Sequence, residues 1–125
     1  MTARRSLVAL VALALLGVAG LAMAAGPLDG AYVVTGTGTD MDPVTFALMV
    51  TQNGTQIGIA LLDPLDSSWT YLIGGLDADQ RVDGPLLFGD GLQAGSLSVR
   101  FQDSVVTGTV TLFEVQYNVN GSKVF

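Results

Sequence analysis

Apolar residues alternate with polar ones along nearly the whole chain after Gly26, and nowhere do they recur at helical spacing. Val44, Phe46, Leu48 and Val50 share one face of a first clear run, and Ile57, Ile59 and Leu61 share one face of the next. Asn53-Gly54 between them predicts a hairpin closed by a type I′ turn, whose two central residues need positive φ. Further inward sets are Trp69, Tyr71 and Ile73; Val82, Leu86 and Phe88; Leu97, Val99 and Phe101; and Val106, Val110 and Leu112. Ala31 to Thr35 precede these runs, and Val115 to Val119 and Lys123 to Phe125 follow them. The pattern predicts an all-β fold of about 7 or 8 short strands, separated by turn signals at barrel or sandwich spacing.

The two halves resemble each other. Leu28-Asp29-Gly30-Ala31-Tyr32-Val33-Val34 is echoed by Val82-Asp83-Gly84-Pro85-Leu86-Leu87-Phe88, and segments 44–62 and 96–112 align as strand, tight turn and strand, with Gly58 opposite Gly108. One domain built of two similar halves, 28–62 and 82–112, is expected. Glycines inside the runs (Gly58, Gly74, Gly84, Gly108) suit strands that bend or approach closely. They favour a small antiparallel up-and-down barrel, with a β-sandwich as the alternative. Gly30-Ala31-Tyr32 on the first strand, followed by short hairpins to the C-terminus, resembles the lipocalin and avidin type of barrel. The resemblance is one of architecture, and no binding residues carry over from it.

The first two dozen residues stand apart. Arg4 and Arg5, an apolar stretch from Leu7 to about Leu21, and Ala22-Met23-Ala24 have the layout of a secretory signal peptide. Residues 1–24 are therefore expected to be removed, leaving a domain of residues 25–125 in the periplasm or outside the cell. The alternative, an uncleaved anchor, has an apolar run short of the ~20 residues that span a bilayer. Removal of the leader leaves three basic residues against eleven acidic ones, a net charge of −8. Arg81, Arg100 and Lys123 are scattered singly, so neither nucleic acid nor an anionic membrane is an expected partner. Polar outward positions argue against membrane insertion of the mature barrel.

Composition narrows the chemistry further. With no Cys and no His, the chain has no disulfide, no thiol nucleophile, no soft metal site and no ordinary general base. No Gly-x-Ser-x-Gly elbow or phosphate loop is present, and an enzyme is not expected. Asp77, Asp79 and Asp83 form the one acidic constellation with any resemblance to a calcium loop. It departs from the EF-hand pattern in having Arg81 at a ligand position and Phe88 where the closing Glu belongs. A solvated turn is the plainer reading, and no cofactor is expected. Asp40, Asp42, Asp63 and Asp66 beside Pro43 and Pro64 read as turn formers. The Asn53-Gly54-Thr55 and Asn120-Gly121-Ser122 sequons are explained by turn demands alone.

The remaining candidates are aromatic: Trp69, Tyr71, Tyr32, Phe46, Phe88 and Phe101, all assigned to inward faces. An eight-stranded barrel is just wide enough to be filled by its own side chains or to hold one small ligand. Two functions follow. One is a binding module that takes a small apolar or aromatic molecule in the barrel interior around Trp69 and Tyr71. The other is a non-enzymatic structural or interaction module of the cell envelope with a filled core.

Overall fold

The computed structural model describes residues 26–63 and 67–125; the expected leader and its cleavage site lie outside the described residues. Among the described residues eight strands follow one another: β1 (Gly30–Thr37), β2 (Val44–Asn53), β3 (Gln56–Asp63), β4 (Ser68–Gly75), β5 (Arg81–Leu87), β6 (Gln93–Gln102), β7 (Val105–Leu112) and β8 (Val115–Lys123). Each pairs antiparallel with the next and β8 returns to β1, closing an up-and-down barrel rather than a sandwich. Closure leaves little sheet edge for a partner strand to extend outside the β4–β5 junction. The described strands, all from Gly30 onward, close the barrel among themselves.

The alternating pattern does what period two requires. Tyr32 and Val34 of β1, Phe46, Leu48 and Val50 of β2, Ile57, Ile59 and Leu61 of β3, Val82 and Leu86 of β5, Leu97, Val99 and Phe101 of β6, Val106 and Val110 of β7, and Val119 of β8 all belong to one buried interior cluster. Val115 to Val119 and Lys123 fall in a single strand, not two. Gly121 lies where a Cβ would strike the backbone of Val33 and Val34, so a side chain there would push β8 off β1.

Turn chemistry departs from expectation. In the β2–β3 hairpin Asn53 pairs with Gln56, so the loop residues are Gly54 and Thr55, and φ is positive only at Gly54, at 62°. That is the φ pattern of a type II′ turn, not the expected type I′. The type I′ pattern appears between β7 and β8, where Phe113 and Glu114 have φ of 49° and 69°. Neither residue suits that conformation, which costs an L-residue roughly 1–2 kcal/mol.

The barrel is thinnest between β4 and β5, which share a single paired position, Tyr71 with Leu87, while every other neighbouring pair shares six to eight. Pro85 removes a backbone donor from β5. Side-chain packing bridges this seam instead: Leu72 occupies the space a Cβ would take on either Gly74 or Gly84.

Candidate functional site: the outer face of β1–β4

The interior is full. Tyr32, Phe46 and Phe101 are each 1% exposed. Tyr32 meets Phe101 edge-on with ring centroids 5.4 Å apart, and Phe46 meets Tyr117 in the same way at 5.3 Å. Phe88 is half-buried at the rim, packed against the interior cluster and 5.9 Å from the Phe113 ring. Tyr117 and Phe113 belong to these aromatic pairs although the sequence reading did not single them out.

One barrel end is plugged from the N-terminal side. Leu28 is buried there, its N–H donating to Gln52 Oε1 at 3.0 Å and its carbonyl accepting from the Tyr32 hydroxyl at 2.9 Å. Asp29 Oδ1 accepts from the Gln52 N–H. Burial, followed by the neighbouring Asp29 charge, pushes the Tyr32 phenol up to about 12.

The two remaining aromatic candidates are not inside. β3 and β4 pair Leu61 with Thr70 and Ile59 with Leu72, which turns Thr70 and Leu72 inward and sends Trp69, Tyr71 and Ile73 to the outer surface. The inward assignment of Trp69 and Tyr71 is thereby corrected. A register offset of one residue exchanges the two faces of a strand, and in β4 the more apolar set is the outward one.

That outward set joins others. Trp69 packs over Ala31, Met49 and Ala60, a second apolar cluster separate from the interior. The paired rows run Val33–Ala47–Leu62–Trp69, then Ala31–Met49–Ala60–Tyr71, then Thr51–Gly58–Ile73. Asp63 is the one charged residue in these four strands, and it lies at the end of β3 in the inward series. The outer face of β1–β4 therefore carries no charge at all. Trp69 Nε1 is buried in it without a hydrogen-bond partner.

The face is not flat. At Gly58 the missing side chain leaves an apolar groove of about 210 Å³, walled by Met49, Ala60, Tyr71 and Ile73. Ile73, the cross-strand neighbour of Gly58, stands beside it 89% exposed. The other principal grooves also open to solvent. One of about 590 Å³ runs past Pro27, Leu28 and Arg100, and one of about 380 Å³, lined by Thr37, Thr39, Gln116 and Asn118, is polar.

The acidic loop does not converge. Asp77 Oδ1 accepts from the backbone N–H of Asp79 and of Arg81, a turn-forming role. Asp83 lies on the outer face of β5 and accepts from the Ser98 hydroxyl. Among the described residues no group of three or more His, Cys, Asp or Glu side chains is placed to hold a metal ion.

Fold and surface together define a class: a closed eight-stranded antiparallel barrel with a buried apolar interior and a second apolar cluster on the outer face of β1–β4. No protein-family model, curated protein or solved structure matches the chain.

Proposed function

We propose that this chain is an exported, non-enzymatic interaction module of the cell envelope, a rigid barrel that binds through the outer face of β1–β4. The observation that carries the reading is the uncharged apolar face itself, with Tyr71 37% and Ile73 89% exposed on a sheet whose inner face is already filled. Contiguous exposed apolar surface of this kind marks interaction sites more often than scattered single residues do. The leader supports export, and the lack of Cys and His supports a role without catalysis. A second reading, a small apolar or aromatic ligand, is favoured by the groove at Gly58, where Tyr71 supplies a ring and Trp69 lies on the same face.

Binding of the neutral, environment-sensitive dye Nile red to the chain lacking residues 1–24 tests the proposal. Dye emission should rise on binding and fall sharply in the double variant Tyr71→Ser, Ile73→Ser. Thr107→Ser with Thr109→Ser, on the opposite side, should leave it unchanged. No dye binding, or equal loss from both sides, removes the reading. Export is checked separately: mass spectrometry of the exported protein should find a start near Ala25, and a start at Met1 would refute processing.

A further inference from the structure

The N-terminal plug holds a buried charge that is only half used. Asp29 is 2% exposed, and its two carboxylate oxygens differ: Oδ1 accepts from the Gln52 N–H, whereas Oδ2 is buried without a hydrogen-bond partner. A buried carboxylate is costly unless a cation or further donors meet it. The basic side chains of the described residues are turned to other acceptors: Arg81 donates to the Ser98 hydroxyl, Arg100 to the Asp79 carbonyl and Lys123 to the Pro27 carbonyl.

What stands beside Asp29 is the start of the barrel domain. The Asp29 N–H donates to the Gly26 carbonyl at 3.2 Å, which folds the chain back on itself. Gly26 is buried against β2: a Cβ built on it would lie 2.7 Å from the Gln52 Cβ and 2.9 Å from Asp29 Oδ1. The Gly26 Cα is therefore within ~4.5 Å of that oxygen, and a single trans peptide keeps the nitrogen of residue 25 within ~5 Å of the same Cα. Hydrolysis of the Ala24–Ala25 bond takes up one water and leaves a carboxylate on Ala24 and an ammonium on Ala25. The new terminus then offers a full positive charge and three donors where the intact chain has one neutral amide N–H. We propose that Asp29 Oδ2 is the binding site for the α-ammonium group freed at Ala25 when the leader is removed.

The proposal rests on the preceding reading that residues 1–24 are cut away, and adds what the freed terminus does. Capture of a chain-terminal amine by a buried acceptor is an established mode of recognition. Here the acceptor and the amine belong to one chain, so the contact is intramolecular and needs no second molecule. The plug of Leu28 and Asp29 is tied to β2 through Gln52, so the ion pair fastens that end of the barrel. The unprocessed chain cannot make the pair, and its barrel is accordingly less stable until the leader is removed.

The chain beginning at Ala25, with its amine free or acetylated, tests the proposal. In urea denaturation the free form should have the higher midpoint. Asp29→Asn, which keeps an acceptor for the Gln52 N–H, should lower the midpoint of the free form and leave that of the acetylated form without a comparable drop. A second readout follows the amine itself. At pH 7 its acylation, mapped by mass spectrometry, should run at least about tenfold slower in the parent than in Asp29→Asn, because an opposite charge within ~4–6 Å holds the amine in its protonated, unreactive form. A carboxylate with a merely structural role would leave that rate unchanged. Equal midpoints for the free and acetylated forms, or equal acylation rates in the parent and Asp29→Asn, overturn the proposal. If Lys123→Met abolishes the effect of Asp29→Asn on the midpoint, Oδ2 belongs to the Lys123 ammonium and the proposal is likewise overturned. Should the exported protein be found to start at Met1, the leader reading falls, while the amine measurements on the Ala25 chain still decide whether Asp29 binds it.

Discussion

The outer faces of β1–β4 and β5–β8 are built from strands of like length around one shared core, yet they differ in kind. On the first half the outward positions are Ala31, Val33, Ala47, Met49, Ala60, Leu62, Trp69, Tyr71 and Ile73, interrupted only by uncharged polar residues and glycines. On the second they include Arg81, Asp83, Ser96, Ser98, Arg100, Thr107, Thr109, Gln116, Asn118 and Asn120. Inside, no such contrast exists: aliphatic and aromatic side chains from both halves meet in one cluster. The interior of a small barrel is set by the volume it must fill, and both halves obey the same demand. The exterior is under no such demand, so a departure from polarity there needs a separate cause, and the proposed contact with another surface would supply one.

If the two halves share one core, truncating an interior ring in either should cost about the same. Phe46→Ala and Phe101→Ala should each lose ~3–5 kcal/mol in urea denaturation. A large disparity between them would show that one half carries the fold and the other rides on it. On the exterior the halves should part company: Trp69→Ala should cost ~1–2 kcal/mol by uncovering Ala31, Met49 and Ala60, whereas Thr109→Ala should stay within ~0.5 kcal/mol. Trp69→Phe should be close to neutral, because it removes an indole N–H that is buried without a partner.

A smaller effect concerns the two hairpin turns. The β2–β3 turn has Gly54 where positive φ is needed, while the β7–β8 turn places Phe113 and Glu114 there. Replacing that pair by Asn and Gly should raise stability by ~1 kcal/mol, measured as a shift in the urea midpoint. A loss would show that the contact of Phe113 with Phe88 outweighs the backbone strain. Smallest at neutral pH is the contribution of Tyr32. Its phenol ionises near 12 when folded and near 10 when unfolded. The unfolded chain therefore loses that proton first as pH rises. Stability from this group is fully present below pH ~10 and declines between ~10 and ~12. Alkaline unfolding followed by circular dichroism should show that decline, and Tyr32→Phe should flatten it.

The alternation in β2, β3, β5, β6 and β7 was legible because in each of these strands one series is distinctly more apolar than the other, or is continuous with a neighbour that is. β4 was not legible. Its series Trp69, Tyr71, Ile73 is more apolar than Thr70, Leu72, Gly74, so reading polarity alone turns the strand inside out. The warning lay in the neighbours. Ala47-Leu48-Met49-Val50 and Ile59-Ala60-Leu61-Leu62 are unbroken apolar runs, and a strand apolar on both faces is covered on both. With β4 they mark a place where three adjacent strands are apolar outward. The groove at Gly58 leaves no such mark, because it depends on Gly58 falling opposite Thr51 and Ile73 in the final register.

Period-two alternation, turn residues at short intervals and the absence of Cys and His settled by themselves that the chain forms an all-β domain of short antiparallel strands without staples. These are properties of neighbouring residues, and neighbouring residues are enough to fix a strand and its turn. Which face of β4 meets the core, which hairpin adopts which turn, and how the barrel closes through Gly121 against Val34 depend on pairings between residues distant in the chain. Only the packed barrel decides them, because a strand's two faces are equivalent until a partner strand fixes the register and the interior accepts one set of side chains and rejects the other.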